Sequence, residues 1–93
     1  MVSVKWTRDA LKDLEKIDRI VVMRILEKIR WFESNFASVV PEPLHRNLRG
    51  LYKLRVGDYR VVYKIEANEV WVLGIRHRKT VYEDILQRLT DRD

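Results

Sequence analysis

The sequence predicts an α+β domain: a small antiparallel sheet, with a helical hairpin before it and a short helix after it, in the order β-α-α-β-β-β-α. Three observations lead there. Apolar residues follow helical spacing in the first third of the chain and again near its end. Between these parts lie three runs rich in Val, Tyr and Ile, "LYKLRV", "YRVVYKI" and "VWVLGIRH", each alternating in parity. The chain has 93 residues, enough for one domain and not two, so residues 1–93 are expected to share one core.

The opening "VSVKW" alternates, with Val2, Val4 and Trp6 on one side, and reads as a first strand. Thr7 then stands where a helix N-cap belongs, ahead of "RDALKDLEKI", in which Leu11, Leu14 and Ile17 mark one face. Asp18 can cap a second helix along which Val22, Ile25, Leu26, Ile29 and Phe32 follow the 3.6-residue period. So short a break between two helices implies an antiparallel hairpin. Pro41 and Pro43 end the helical pattern, and residues 34–47 read as a loop crossing to the sheet. In the tail, "TVYEDILQRL", Thr80 and Glu83 have capping-box spacing and Val81, Ile85 and Leu89 form a stripe.

Composition narrows the functional classes. There are no cysteines, which excludes disulfide frameworks and thiolate metal sites and fits a reducing cytoplasm. No apolar run approaches the length of a membrane span, and the N-terminus lacks the apolar core of a signal peptide. Net charge is +5, and all of it falls between Glu42 and Tyr82, where nine Lys or Arg face four acids. A phosphate-rich partner is drawn to such a segment.

Strand parity tells where that charge goes. Tyr52, Leu54 and Val56 share a face with Tyr59, Val61, Tyr63 and Ile65, and Lys53, Arg55, Arg60 and Lys64 take the other. A two-residue turn at Gly57-Asp58 pairs Val56 with Tyr59 and Arg55 with Arg60. In the next hairpin a three-residue loop, Ala67-Asn68-Glu69, keeps Trp71, Leu73 and Ile75 on the apolar side. It pairs Ile65 with Trp71, Tyr63 with Leu73 and Arg60 with Arg76. Tyr52, Tyr59, Tyr63 and Trp71 are thus expected in the core. Lys53, Arg55, Arg60 and Arg76 gather on the open face, with Arg78 at the strand end. Like charges in cross-strand register repel, and a bound phosphate would reverse that sign.

The pattern "LRGLYKLRVGDYRVVYKI…VWVLGIRHRKTVY" resembles the RelE/ParE toxin superfamily of toxin–antitoxin systems, and the element order extends the likeness over most of the chain. The resemblance implies a RelE-like microbial RNase-type fold. It implies one of two activities, a ribosome-dependent mRNA endonuclease (RelE-like) or a DNA gyrase inhibitor (ParE-like). A degenerate member that only binds its antitoxin is a third outcome. In the RelE branch the ribose 2′-OH attacks the adjacent phosphate without metal or other cofactor. That leaves a 2′,3′-cyclic phosphate and a 5′-OH. Carried onto this chain, the resemblance places the catalytic set at Lys53, Arg55, Arg60, Arg78 and Tyr82. Arg76 is the alternative arginine and His77 an alternative proton-transfer group. Arg55 stands where a Lys is common, and a guanidinium serves for charge stabilisation and not as a base.

Tyr82 can stack on the target base. Arg46, Arg49, Lys64 and Lys79 are further RNA-binding candidates, and His45 lies in the same loop as the first two. The implied partners are the ribosome, mRNA and a RelB-like antitoxin, with a heterotetramer among the assemblies. Trp31 falls off the apolar helical stripe and is a candidate for the antitoxin contact.

Overall fold

In the computed structural model, which describes residues 2–91, the alternating N-terminal stretch forms β1, Ser3–Trp6. Thr7 caps the next helix, α1, Arg8–Glu15, by accepting a hydrogen bond from the Ala10 amide at 3.2 Å. Asp18 does the same for α2, Arg19–Ser34, through the Ile20 amide at 3.1 Å. A single 3₁₀ turn follows at Phe36–Ser38. Inside the stretch read as a loop, Glu42–Pro43 forms a two-residue strand, β2. The three predicted strands appear as β3, Tyr52–Val56, β4, Tyr59–Glu66, and β5, Glu69–His77, and the chain ends in α3, Val81–Thr90.

The sheet has the order β1-β5-β4-β3-β2. The expected antiparallel meander is present, and two edge strands enlarge it. β2 joins β3 antiparallel, and β1 joins β5 in parallel, so the five-stranded sheet is mixed. The first hairpin has the expected register: Val56 faces Tyr59 and Arg55 faces Arg60 across Gly57-Asp58. Gly57 takes φ +56°, the left-handed value that a tight hairpin turn asks of its first central residue.

The second hairpin corrects the expectation. Its turn has two residues, Ala67-Asn68, with Ala67 at φ 53°, and it pairs Glu66 with Glu69 and Ile65 with Val70. Tyr63 faces Val72. A bulge opposite Val62 and Tyr63 then inserts Leu73, after which Val62 pairs with Gly74, Val61 with Ile75 and Arg60 with Arg76. The bulge reverses parity midway along β5. Val70, Val72 and Ile75 therefore all face the helical hairpin, and Trp71 turns to the opposite face beside Lys64 instead of entering the core.

Two cores result. Ala10, Ile25, Ile29, Val61, Val72 and Ile75 pack between hairpin and sheet, continuous with Phe32, Tyr63 and Val70. Tyr52 and Tyr59 are partly buried at its margin. On the other face Leu44, Val62, Val81 and Ile85 form a smaller cluster. The helices thus do not share one face: α3 and the 44–51 loop cover the side opposite the hairpin. Leu11, Leu26 and Leu89, expected on buried stripes, remain exposed.

Candidate functional site

β3, β4 and β5 carry three arginines side by side. Arg55 lies opposite Arg60, and Arg60 opposite Arg76. The repulsion that this register implies is relieved within the protein, by a different device for each residue. Arg55 donates to both carboxylate oxygens of Glu42, at 3.0 and 2.6 Å. Arg60 folds its Nη1 back onto the carbonyls of Gly57 and Tyr59, at 2.9 and 3.0 Å. Arg76 donates to Asp84 at 2.9 Å and to Asp13 at 3.3 Å. Among the described residues, Arg60 alone of the three has no carboxylate partner.

Glu42 is a carboxylate at the β2 edge of this face. It stands opposite Lys53 in the β2–β3 ladder, with Lys53 Nζ 3.8 Å away. The hydrogen-bonded Arg55 guanidinium holds the Glu42 carboxyl below the usual carboxylate range against a cost of burial, and Lys53 and Arg60 add to the effect. Lys53 itself is three-quarters covered. Lys64 pairs with Glu66 at 2.8 Å.

At the far end of β5, Arg78 extends the ladder by one bond. Its amide donates to the Asp58 carbonyl at 2.8 Å and its Nε to the Asp58 carboxylate at 3.3 Å. Arg76 and Arg78 therefore differ in kind. Arg78 is half exposed and paired with an exposed acid, whereas Arg76 is clamped between two carboxylates, one of them buried. His77 does not join either. It pairs with Tyr59 in the ladder, meets that ring edge-on at 5.8 Å on the hairpin side, and accepts the Lys79 amide at Nδ1. Arg46, Arg49 and Lys79 are exposed.

α3 begins as expected at Thr80, but not with a capping box. The Thr80 hydroxyl bonds Asp84 at 2.8 Å and makes no side-chain cap. Burial raises the Asp84 carboxyl, and the Thr80 and Arg76 hydrogen bonds outweigh it, so Asp84 sits below the ordinary range. Tyr82 emerges from this first turn and stacks on His45, with ring centroids 4.0 Å apart and planes 32° from parallel.

Four side chains that bear on the charge balance of this face escaped the sequence reading: Glu42, Asp84, Asp13 and Arg88. Asp13 is a buried carboxylate with four donors: the Ile75 amide at 2.8 Å, Arg76 at 3.3 Å and two Arg88 nitrogens at 3.1 Å each. The available signal was an acid three residues after Ala10, on the inward stripe of α1. Among the described residues, no group of three or more His, Cys, Asp or Glu is placed to hold a metal ion. No helix among them is long and apolar enough to cross a membrane.

Fold and site define a small α+β domain with an arginine-lined sheet face. Residues 4–82 match the model of the family described as the ParE toxin of type II toxin–antitoxin systems, parDE. Toxin RelG of Mycobacterium tuberculosis is 32% identical over 82 residues, spanning 86% of this chain and 94% of its own. Among solved structures, the toxin–antitoxin complex RelBE2 of the same organism superposes with a TM-score of 0.71 at 32% identity, over 84% of this chain and 94% of that one. Isolated Escherichia coli RelE toxin, at 20% identity, shares the fold with a TM-score of 0.68, over 96% of this chain and 99% of that one. The chain belongs to the RelE/ParE family of toxins of type II toxin–antitoxin systems.

Proposed function

We propose that this toxin is a ribosome-dependent mRNA endonuclease acting in the cytoplasm. The observation that supports the reading is the arginine row: three arginines in register across β3, β4 and β5, with Lys53 on β3 and Arg78 and Tyr82 following β5 in the chain. In the reaction the 2′-oxygen loses its proton and bonds to the adjacent phosphorus. The P–O5′ bond breaks and the 5′-oxygen is protonated. No metal or cofactor is needed; cations must be placed where the phosphorane charge develops.

Lys53 is assigned to the 2′-OH. Arg55, Arg60 and Arg78 are assigned to the phosphorane, and Tyr82 to the nucleotide. Arg60 leads this set, because its hydrogen bonds go to carbonyls and, among the described residues, no carboxylate is in direct contact with it. Arg55 and Arg78 are held by partly exposed carboxylates that a phosphate can displace. Arg76 is assigned to structure, and His77, turned to the other face, has no part in the step. Arg46, Arg49, Lys64 and Lys79 contribute binding charge.

The same proposal includes a RelB-like antitoxin, in a heterodimer or heterotetramer. The crystal structure of RelBE2 is a toxin–antitoxin complex. An acidic segment that folds on contact suits the cationic face. The exposed Trp31, with Lys28 Nζ 4.2 Å over its ring, and the exposed Ile20 and Met23 of α2 offer a second contact.

A gyrase-inhibiting activity is the second reading. It draws on the ParE description of the matching family and on the carboxylate partners of Arg55, Arg76 and Arg78, which suit a rigid binding face as well as a catalytic one. One experiment separates the two: induction in cells, with mRNA 5′ ends mapped and plasmid supercoiling measured in parallel. New ends within translated codons support the endonuclease. Lost supercoiling with intact mRNA supports the gyrase inhibitor and overturns our proposal.

A further inference from the structure

His45 is as firmly placed as Tyr82. The preceding residue, Leu44, is buried against Val62, Val81 and Ile85, and its amide donates to the Leu51 carbonyl at 2.9 Å. The Leu48 amide returns to the His45 carbonyl at 2.9 Å, and Leu48 and Leu51 pack on the same cluster. The loop is thus a pinned turn. Its one aromatic ring is fixed twice over, by the Asn47 amide on Nδ1 at 3.1 Å and by the Tyr82 ring at 4.0 Å.

An Nδ1 that accepts a hydrogen bond leaves the ring proton on Nε2 in the neutral imidazole. The edge of His45 that remains available is therefore a donor. Exposed Arg46 and Arg49 belong to the same loop. Lys53 stands opposite Val62 in the β3–β4 ladder, and Leu44, next to His45, and Val81, next to Tyr82, cluster with Val62. An aromatic surface with a donor edge, in a loop that also carries two exposed arginines, matches the chemistry of an unpaired nucleobase attached to phosphates.

We infer that His45 and Tyr82 act together as a stacking platform for one unpaired base of a single-stranded RNA, with His45 Nε2–H, which points along the ring plane, donating to an acceptor on the neighbouring nucleotide. Resting on the endonuclease reading only in taking RNA as the ligand, this adds His45 to the site as a binding residue and not as an acid or base. His45 covers one face of the tyrosine ring, so the pair presents a two-ring stack for the base to extend. Were the contact only a clip between loop and helix, its loss would cost stability and not affinity.

The test uses a short single-stranded 2′-O-methyl RNA, which cannot be cleaved, intact or with one abasic position, and reads binding by fluorescence anisotropy at fixed salt. His45→Ala and Tyr82→Ala should each weaken binding of the intact strand about tenfold, the scale of one lost base–aromatic stack. His45→Phe keeps the ring and should lose about threefold or less through the missing donor. The abasic strand should bind the wild-type protein and all variants alike to within that margin. Thermal melts of the same proteins separate misfolding from lost contact. Equal binding of intact and abasic strands by the wild-type protein would overturn the inference. So would a His45→Ala variant that is less stable but binds unchanged. If the wild-type protein binds base-dependently and yet cuts no mRNA on ribosomes, the endonuclease reading fails while the platform stands.

Discussion

Loss of Arg88 is expected to be the most damaging single change outside the apolar core. Asp13 has a side chain 5% exposed, and two of its four hydrogen bonds come from Arg88. The same guanidinium also donates to the Leu73 carbonyl at the bulge, at 3.1 Å. Among the described residues α3 buries only Val81 and Ile85, so this contact is its main polar anchor. Removing one partner of a buried ion pair typically costs about 3–5 kcal/mol, because the other charge stays behind. Arg88 is 23% exposed and Arg76 still reaches Asp13, so Arg88→Met should cost about 2–3 kcal/mol. For a domain of this size that lowers Tm by roughly 10–20 °C. Urea unfolding followed by circular dichroism gives the free energy. Asp13→Asn keeps an oxygen for the Ile75 amide and removes the charge. Combined with Arg88→Met, it should cost at least about 1 kcal/mol less than the two single losses added together. Strict additivity, or an Arg88→Met variant within about 0.5 kcal/mol of wild type, would refute the buried-pair reasoning.

Gly74→Ala should destabilise by about 1–3 kcal/mol in the same assay, since its Cβ would lie 2.5 Å from Arg88 Nη1, 3.0 Å from Ile85 Cδ1 and 3.2 Å from Asp13 Oδ2. That guanidinium belongs to a flexible side chain, but the ion pair holds it in place. Burial, with Tyr52 and Glu42 adding, pushes the Tyr63 hydroxyl up to about 12. A raised folded-state value means that its contribution is complete below the unfolded value near 10 and is lost as pH rises through about 12, by up to about 2 kcal/mol. Wild type should therefore lose stability relative to Tyr63→Phe, which does not titrate there, over that window. Asp84 shifts the other way: its contribution is present above the ordinary carboxylate range and is lost as pH falls through its depressed folded value. Asp84→Asn should flatten the acid limb of the stability curve. Lys53→Ala and Arg60→Ala should each reduce the salt dependence of RNA binding; an unchanged slope in both would remove this face from the site.

The helices, strands and first turn were legible because local signals are strong there. Thr7 and Asp18 cap as their positions suggest, and Gly57 supplies the φ that a tight hairpin needs. The second hairpin was not legible. A three-residue loop, or a two-residue turn followed by a bulge, brings Arg60 opposite Arg76 equally well. Only the second moves Trp71 out and Val70 and Val72 in. Nor does the stripe Val81–Ile85 say which face α3 covers. The clue lay in the sheet: Val62 and Gly74 interrupt the cationic face with an apolar side chain and a gap, and a helix fills both. β2 has two residues and a proline, too little for any periodic signal. The counter-charges were hidden for a further reason. Asp13 and Arg88 are 75 residues apart, and only the fold brings them together.

The measurement that bears most directly on the central claim is single-turnover cleavage of an mRNA on saturating programmed ribosomes by Arg78→Ala and Arg60→Ala, with product ends identified chemically. On our account the wild-type protein leaves a 2′,3′-cyclic phosphate and a 5′-OH. Each substitution slows cleavage by about 10²–10³ without loss of fold, the usual cost of removing a preorganised cation from a developing charge. Intact mRNA with the wild-type protein, or cleavage that survives both substitutions unchanged, would contradict it.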